Sequence, residues 1–172
     1  MSQATLIQQV TLVNEGKIQV TDVLIEGERI QKIGSIPAQD QYHLVDGRGK
    51  YLFPGVIDGQ VHFRDPGLTH KADLTSESKA AIAGGVTSFI EMPNTRPNTL
   101  TLELWADKYE LASTKSLANY GFLLGITADN LDEVIQWDTS KHLAITDDGL
   151  YFTGKGNIWA DQPAMLEKLF AA

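Results

Sequence analysis

Residues 54–67, PGVIDGQVHFRDPG, decide how the rest of the chain is read. An apolar pair (Val56, Ile57), an acid (Asp58), an imidazole (His62), a guanidinium (Arg64) and a second acid (Asp65) fall within ten residues. Val56 to Phe63 alternates well enough for a strand. Asp65-Pro66-Gly67 then stops it, because proline cannot continue a ladder and glycine accepts the turn. Gln60, His62 and Arg64 lie at period two, so a strand through them sends all three side chains from one face. Three polar side chains near a strand end do not suit an apolar core. They suit a site at the C-terminal end of a barrel strand.

Upstream of this stretch the chain reads as short β strands. Ala4 to Val13 is the first, ended by Asn14-Glu15-Gly16, and Ile18 to Ile25 the second. Glu26-Gly27-Glu28 makes a tight turn, and Arg29 to Ile33 returns as the partner of a hairpin. Leu44-Val45 and Tyr51 to Phe53 are shorter candidates. Residues 1–53 thus form a small β segment, too thin to bury much by itself.

Downstream the pattern switches to alternating strand and helix. The spacing predicts a helix from about Asp73 to Ala83 with Gly84-Gly85 as its stop, a strand over Val86 to Met92, and a helix near Leu102 to Ser113. Trp105, Tyr109 and Ala112 make that second helix's apolar stripe. Further strands are expected at Tyr120 to Ile126 and His142 to Ile145, with helices at Leu131 to Trp137 and Gln162 to Phe170. Alternation of this kind means βαβ units and a parallel sheet, an α/β fold. A closed eight-stranded barrel takes roughly 250 residues. Residues 54–172 suffice for about four βα units at ~30 residues each. The expectation is therefore the front half of a (β/α)8 barrel, in a chain that is a fragment or one piece of an assembly. A complete four-strand open domain is the less favoured reading.

Composition sets outer limits. The 172 residues are 42% apolar and 21% charged, the balance of an ordinary globular protein. A net charge of −8 without a basic cluster disfavours a nucleic-acid surface. There is no cysteine, so disulfides and thiolate ligands are excluded. The N-terminal MSQATLIQQV has no cationic segment leading an apolar run, and no 18-residue apolar stretch occurs, so a cytoplasmic location is expected.

The residues around His62 resemble the signature of the cyclic amidohydrolases, whose first barrel strand carries a His-x-His metal pair. Arg two residues after the second His, followed by Asp-Pro-Gly, is most similar to dihydroorotase. Met92-Pro93-Asn94-Thr95-Arg96-Pro97 is similar to that family's Met-Pro-Asn-Thr block, and Thr146-Asp147-Asp148-Gly149 to the Thr-Asp-Asp-Gly of one of its classes. The resemblance runs from about Leu24 to Phe170. It implies an amidohydrolase-type barrel behind an N-terminal β-sandwich segment, and the zinc-dependent interconversion of dihydroorotate and N-carbamoyl-aspartate.

The same resemblance implies roles. His62 is the best metal candidate, since imidazole and carboxylate oxygen are both good zinc ligands. Asp148 is the second, although Asp147-Asp148-Gly149 suits a plain turn equally well. Gln60 stands where the family has its first metal His, and an amide oxygen is a weak, uncharged donor. Arg64 and Asn94 match the residues that grip the substrate carboxylate, Arg with a planar fork and Asn with a neutral donor. Arg96 reads as an exposed loop residue, and His43, His70 and His142 as structural or surface histidines. The family's further metal histidines and its catalytic aspartate are expected beyond Ala172, so zinc would be weak or absent in this chain alone. The partners implied are the small-molecule substrate and a second copy or the missing half. A non-catalytic scaffold subunit of a pyrimidine-pathway complex is the rival reading, favoured by Gln60. Hydantoinase and allantoinase are rivals of the enzyme class, against which Arg64 and Asn94 speak.

Overall fold

A computed structural model describes residues 3–127, 129–136 and 144–146, together with residues 164, 167, 168 and 171. The chain falls into two compact units, Met1–Pro54 and Gly55–Ala172.

The first unit is a five-stranded sheet of β1 (Thr5–Asn14), β2 (Lys17–Glu26), β3 (Arg29–Gly34), β4 (His43–Asp46) and β5 (Tyr51–Leu52). β3, β2 and β1 form an antiparallel meander, as the alternating pattern predicts. Glu15 (φ 48°) and Gly16 (φ 73°) both take the left-handed region at the β1–β2 turn. Two such residues give the primed turn whose twist matches that of the flanking strands. β4 and β5 both lie parallel to β1, pairing in succession with residues 5–8 and 11–12. Leu6, Leu24 and Ile36 make the small core, with Ala4 and Tyr42 against it.

One side chain pins this sheet. β1 bulges between Ile7 and Val10, and Gln9 there has φ 52°. Asp22 accepts the Gln9 amide through Oδ1 (2.8 Å) and the Ile36 amide through Oδ2 (3.0 Å). These backbone donors, Gln9 first, hold the Asp22 carboxyl below its usual range. A depressed folded pKa gives stability that is present above the unfolded value of ~3.9 and lost as pH falls through the folded one. Asp22→Ala should therefore destabilise the sheet at neutral pH by about 1 kcal/mol, a low figure because the carboxylate reaches solvent. Amide exchange at Gln9 and Ile36 checks this: it should accelerate in the variant at pH 7, and the difference from wild type should shrink towards pH 3.

The second unit contains β6 (Val56–Val61), α1 (Leu74–Ala83), β7 (Val86–Glu91), α2 (Leu102–Lys115), β8 (Asn119–Phe122), β9 (Leu124–Gly125), α3 (Leu131–Val134) and β10 (Ile145–Thr146). β6, β7 and β8 run parallel in that order, and β9 pairs parallel with β10. The expected third strand is thus realised as β8 and β9, interrupted only at Leu123, whose amide still donates to Glu91 O (3.0 Å). This is a mixed α/β unit. The predicted helix at Gln162 to Phe170 falls largely outside the described residues.

The helices form where their capping chemistry allows. Asp73 caps α1 by accepting from Thr75 N (2.8 Å) and Ser76 N (2.9 Å), and Gly84 closes its C-terminus. Thr101 caps α2 through Leu104 N. Both helices bury apolar side chains against the sheet: Leu74 and Ala112 join Phe63, Phe89, Ala118 and Phe122 in one core. Phe63 and Phe89 meet with ring centroids 4.5 Å apart and planes tilted by 47°. No helix among the described residues is long and apolar enough to cross a membrane.

β6 is shorter than the sequence predicts. It ends at Val61, and a register shift separates Asp58 from Val61 in its pairing with β7. His62 already lies past the strand and Arg64 takes φ 67°, so the face expected through Gln60, His62 and Arg64 is not formed. Expecting period two through Arg64 was wrong. The amide of this left-handed residue is held from β7, by the side chain of Glu91.

Candidate functional site

Two loops carry the site, residues 62–68 after β6 and residues 92–99 after β7. Because these strands are parallel neighbours, Arg64 and Asn94 follow the same end of the sheet. His62 Nδ1 lies 2.8 Å from Asn94 Oδ1. An amide oxygen only accepts, so Nδ1 is the donor in this pair, the arrangement that in a neutral ring leaves Nε2 as the lone-pair nitrogen. His62 is half-buried and Asn94 buried, whereas Gln60 is exposed.

The loops are joined by backbone as well. Arg96 N donates to Pro66 O (3.0 Å), and Leu68 N to Arg64 O (3.0 Å). A Cβ on Gly67 would stand 2.1 Å from Arg96 O, and Gly67 has φ 85°, so only glycine fits there. Thr95 Oγ1 donates to Pro97 O (2.9 Å) and lies 3.3 Å from Thr99 Oγ1, which stiffens the second loop from within. Thr99 O in turn accepts from Gly125 N (2.8 Å), tying that loop to β9.

Beneath the loops lies a buried ion pair. Glu91, the last residue of β7, is 0% exposed. Its Oε1 accepts from Arg64 N (3.0 Å), and Lys108 Nζ stands 2.9 Å from its Oε2. Lys108 also reaches Met92 O (3.3 Å) and sits over the Phe122 ring, 4.8 Å from its centroid. Burial pushes the Glu91 carboxyl up and the Lys108 ammonium down, and their mutual attraction opposes both shifts. A second buried acid, Asp65, accepts from Lys115 Nζ (2.7 Å) and, at 3.4 Å, from Leu74 N. It joins the start of α1 to the end of α2.

The sequence matches a known family along most of the chain. A family model described as dihydro-orotase-like covers residues 49–167. The chain belongs to that family. Its relatives include the dihydroorotase of Carboxydothermus hydrogenoformans, 38% identical over 81% of this chain and 33% of that protein. The allantoinase of Desulfitobacterium hafniense is 36% identical over 68% of this chain and 26% of that protein. Among solved structures, the L-hydantoinase (dihydropyrimidinase) of Arthrobacter aurescens superposes with a TM-score of 0.77 at 25% identity, covering 96% of this chain and 37% of the other. The chain therefore spans about a quarter to a third of the length of these curated relatives.

The family resemblance implies zinc, and the described donors do not fit that ion by themselves. His62 presents Nε2, and Gln60 offers an exposed amide. Among the described residues no three of His, Asp and Glu gather so as to hold a metal. Asp148, read as a possible ligand, and His142 lie outside the described residues. His43 opens β4 and is exposed, and His70 and Arg96 are exposed loop residues, as expected of them.

Sequence reasoning missed Glu91, Lys108 and the anchoring role of Asp65. A signal for Lys108 was present. It lies three residues after Trp105 and one before Tyr109, inside the apolar stripe of α2, where an exposed lysine does not belong. Glu91 likewise stands between Ile90 and Met92, where a strand covered on both faces favours apolar residues.

Proposed function

We propose that this chain is the N-terminal part of a dihydroorotase-like cyclic-amide hydrolase, the front half of a (β/α)8 barrel behind a β-sandwich segment. The observation that carries the reading is the 2.8 Å contact of His62 with Asn94 across the loops that follow β6 and β7. It spends the Asn94 carbonyl on the imidazole and leaves the amide nitrogen as a donor. Arg64, two residues on, adds a planar cationic fork. Together they suit a ring that bears a carboxylate, as dihydroorotate does, better than a neutral cyclic amide. The part these residues play is to bind and orient. His62 can offer one metal ligand; the further ligands and a proton-transferring acid have to come from beyond the described residues.

The test is hydrolysis of dihydroorotate, hydantoin and allantoin by the full-length polypeptide that carries this sequence. Preference for dihydroorotate supports the reading, and preference for a neutral ring refutes its substrate. Arg64→Ala should raise KM for dihydroorotate on the order of ten- to a hundredfold, the loss of a charge-assisted pair of ~1.5–3 kcal/mol. An unchanged KM would remove Arg64 from the substrate side. Gln60 supports a second reading, a non-catalytic scaffold subunit, which turnover of any of the three rings by that polypeptide would rule out.

A further inference from the structure

We infer that Glu91 and Lys108 form a positioning pair, which sets the backbone of Arg64 and of Met92–Asn94 so that the two substrate-binding side chains stand in register. The inference rests on the substrate-side reading of Arg64 and Asn94 given above. Neither Glu91 nor Lys108 reaches the loop surface, with side chains 1% and 2% exposed. They act on the site through main-chain atoms. Glu91 Oε1 accepts the Arg64 amide from the neighbouring loop, and Lys108 Nζ reaches the Met92 carbonyl, two residues before Asn94.

Arg64 shows why such a device is needed. Its φ of 67° lies in the left-handed region, which is unfavourable for a residue bearing a Cβ. Such a residue persists only where its surroundings over-determine it. Here a charged acceptor holds the amide and Leu68 N holds the carbonyl. The left-handed residue turns the chain two positions after His62, so Arg64 does not continue the run of the strand. A carboxylate makes a stronger acceptor for that amide than a neutral group. Lys108 allows a carboxylate to be buried there at all, and its own position is fixed by α2 through Trp105, Tyr109 and Ala112, which pack into the cores around it.

A merely structural ion pair predicts a different outcome from a positioning one. Replacing a buried pair by apolar residues of similar size is often neutral for stability. The double variant Glu91→Leu/Lys108→Met should therefore fold while losing both main-chain contacts. Glu91→Gln/Lys108→Met removes the charges but keeps an amide oxygen for Arg64 N.

Two readouts are taken on these variants. In the 172-residue chain, exchange of the Arg64 amide should accelerate at least about tenfold in the Leu/Met variant and recover partly in the Gln/Met variant. In the full-length polypeptide, KM for dihydroorotate should rise on the order of tenfold or more in the Leu/Met variant, with kcat little changed and partial rescue by Gln/Met. A folded Leu/Met variant with wild-type exchange at Arg64 overturns the inference whatever the substrate proves to be. So does faster exchange with an unchanged KM. If the wild type prefers hydantoin or allantoin, the substrate reading fails, and the KM comparison is made with that ring by the same criterion.

Discussion

The purified 172-residue chain should not turn over dihydroorotate, and should not bind zinc tightly. Catalysis in this family reading needs several metal ligands and an acid within hydrogen-bond reach of the leaving nitrogen. The described residues supply one imidazole, His62, already bonded to Asn94, and the exposed amide of Gln60. Adding Asp148 would still leave one strong ligand, one carboxylate and a weak amide. Gln60 is exposed and His62 and Arg64 are only half-buried, so water reaches these residues. High dielectric weakens every electrostatic contribution that an enclosed site would strengthen. The check is a zinc titration and a hydrolysis assay on the chain, with its mass confirmed. Stoichiometric tight zinc together with metal-dependent turnover would show that the ligand set has been misjudged.

Lys108→Met alone should be among the most destabilising single changes in the second unit. It removes the partner of a carboxylate that is 0% exposed and leaves an uncompensated buried charge. Such losses cost about 3–5 kcal/mol, which for a chain of this size is a melting shift on the order of ten degrees. The variant can escape part of that cost by protonating Glu91, whose carboxyl burial already pushes up. The sign follows from linkage. A raised folded pKa gives stability that is present below the unfolded value of ~4.3 and lost as pH rises through the folded one. The melting temperature of Lys108→Met should accordingly fall as pH rises from 4 to 8, more steeply than in wild type. Equal slopes for the two proteins would mean that Glu91 finds another partner.

How much of this was legible in the sequence depends on how local each cause is. The span of α1 is written in Asp73 at one end and Gly84-Gly85 at the other, because caps act within a few residues. The β1–β2 and β2–β3 hairpins are legible for the same reason. The parallel pairing of β4 and β5 with β1 is not, since it depends on contacts between segments some forty residues apart. Arg64 is the clearest case at the site. Alternation placed it on the face of His62, but its amide answers to Glu91, 27 residues later, and a periodic pattern contains no record of that bond. His62 and Asn94 were each singled out by motif, yet only the fold shows that their side chains meet.

The contact between Gly67 and the Arg96 carbonyl also bears on how such a site can evolve. Two glycines flank His62, and they differ in mutational tolerance. A Cβ on Gly59 would meet nothing within 4 Å, whereas one on Gly67 would collide with main chain that cannot swing aside. Gly59 itself has room for a side chain. Gly67 is closed even to alanine, because the two loops close against each other with no room for a methyl group. Selection for a new substrate in a randomised library should therefore leave Gly67 unchanged in every functional clone, and draw its changes from side chains above the latch rather than from the latch itself.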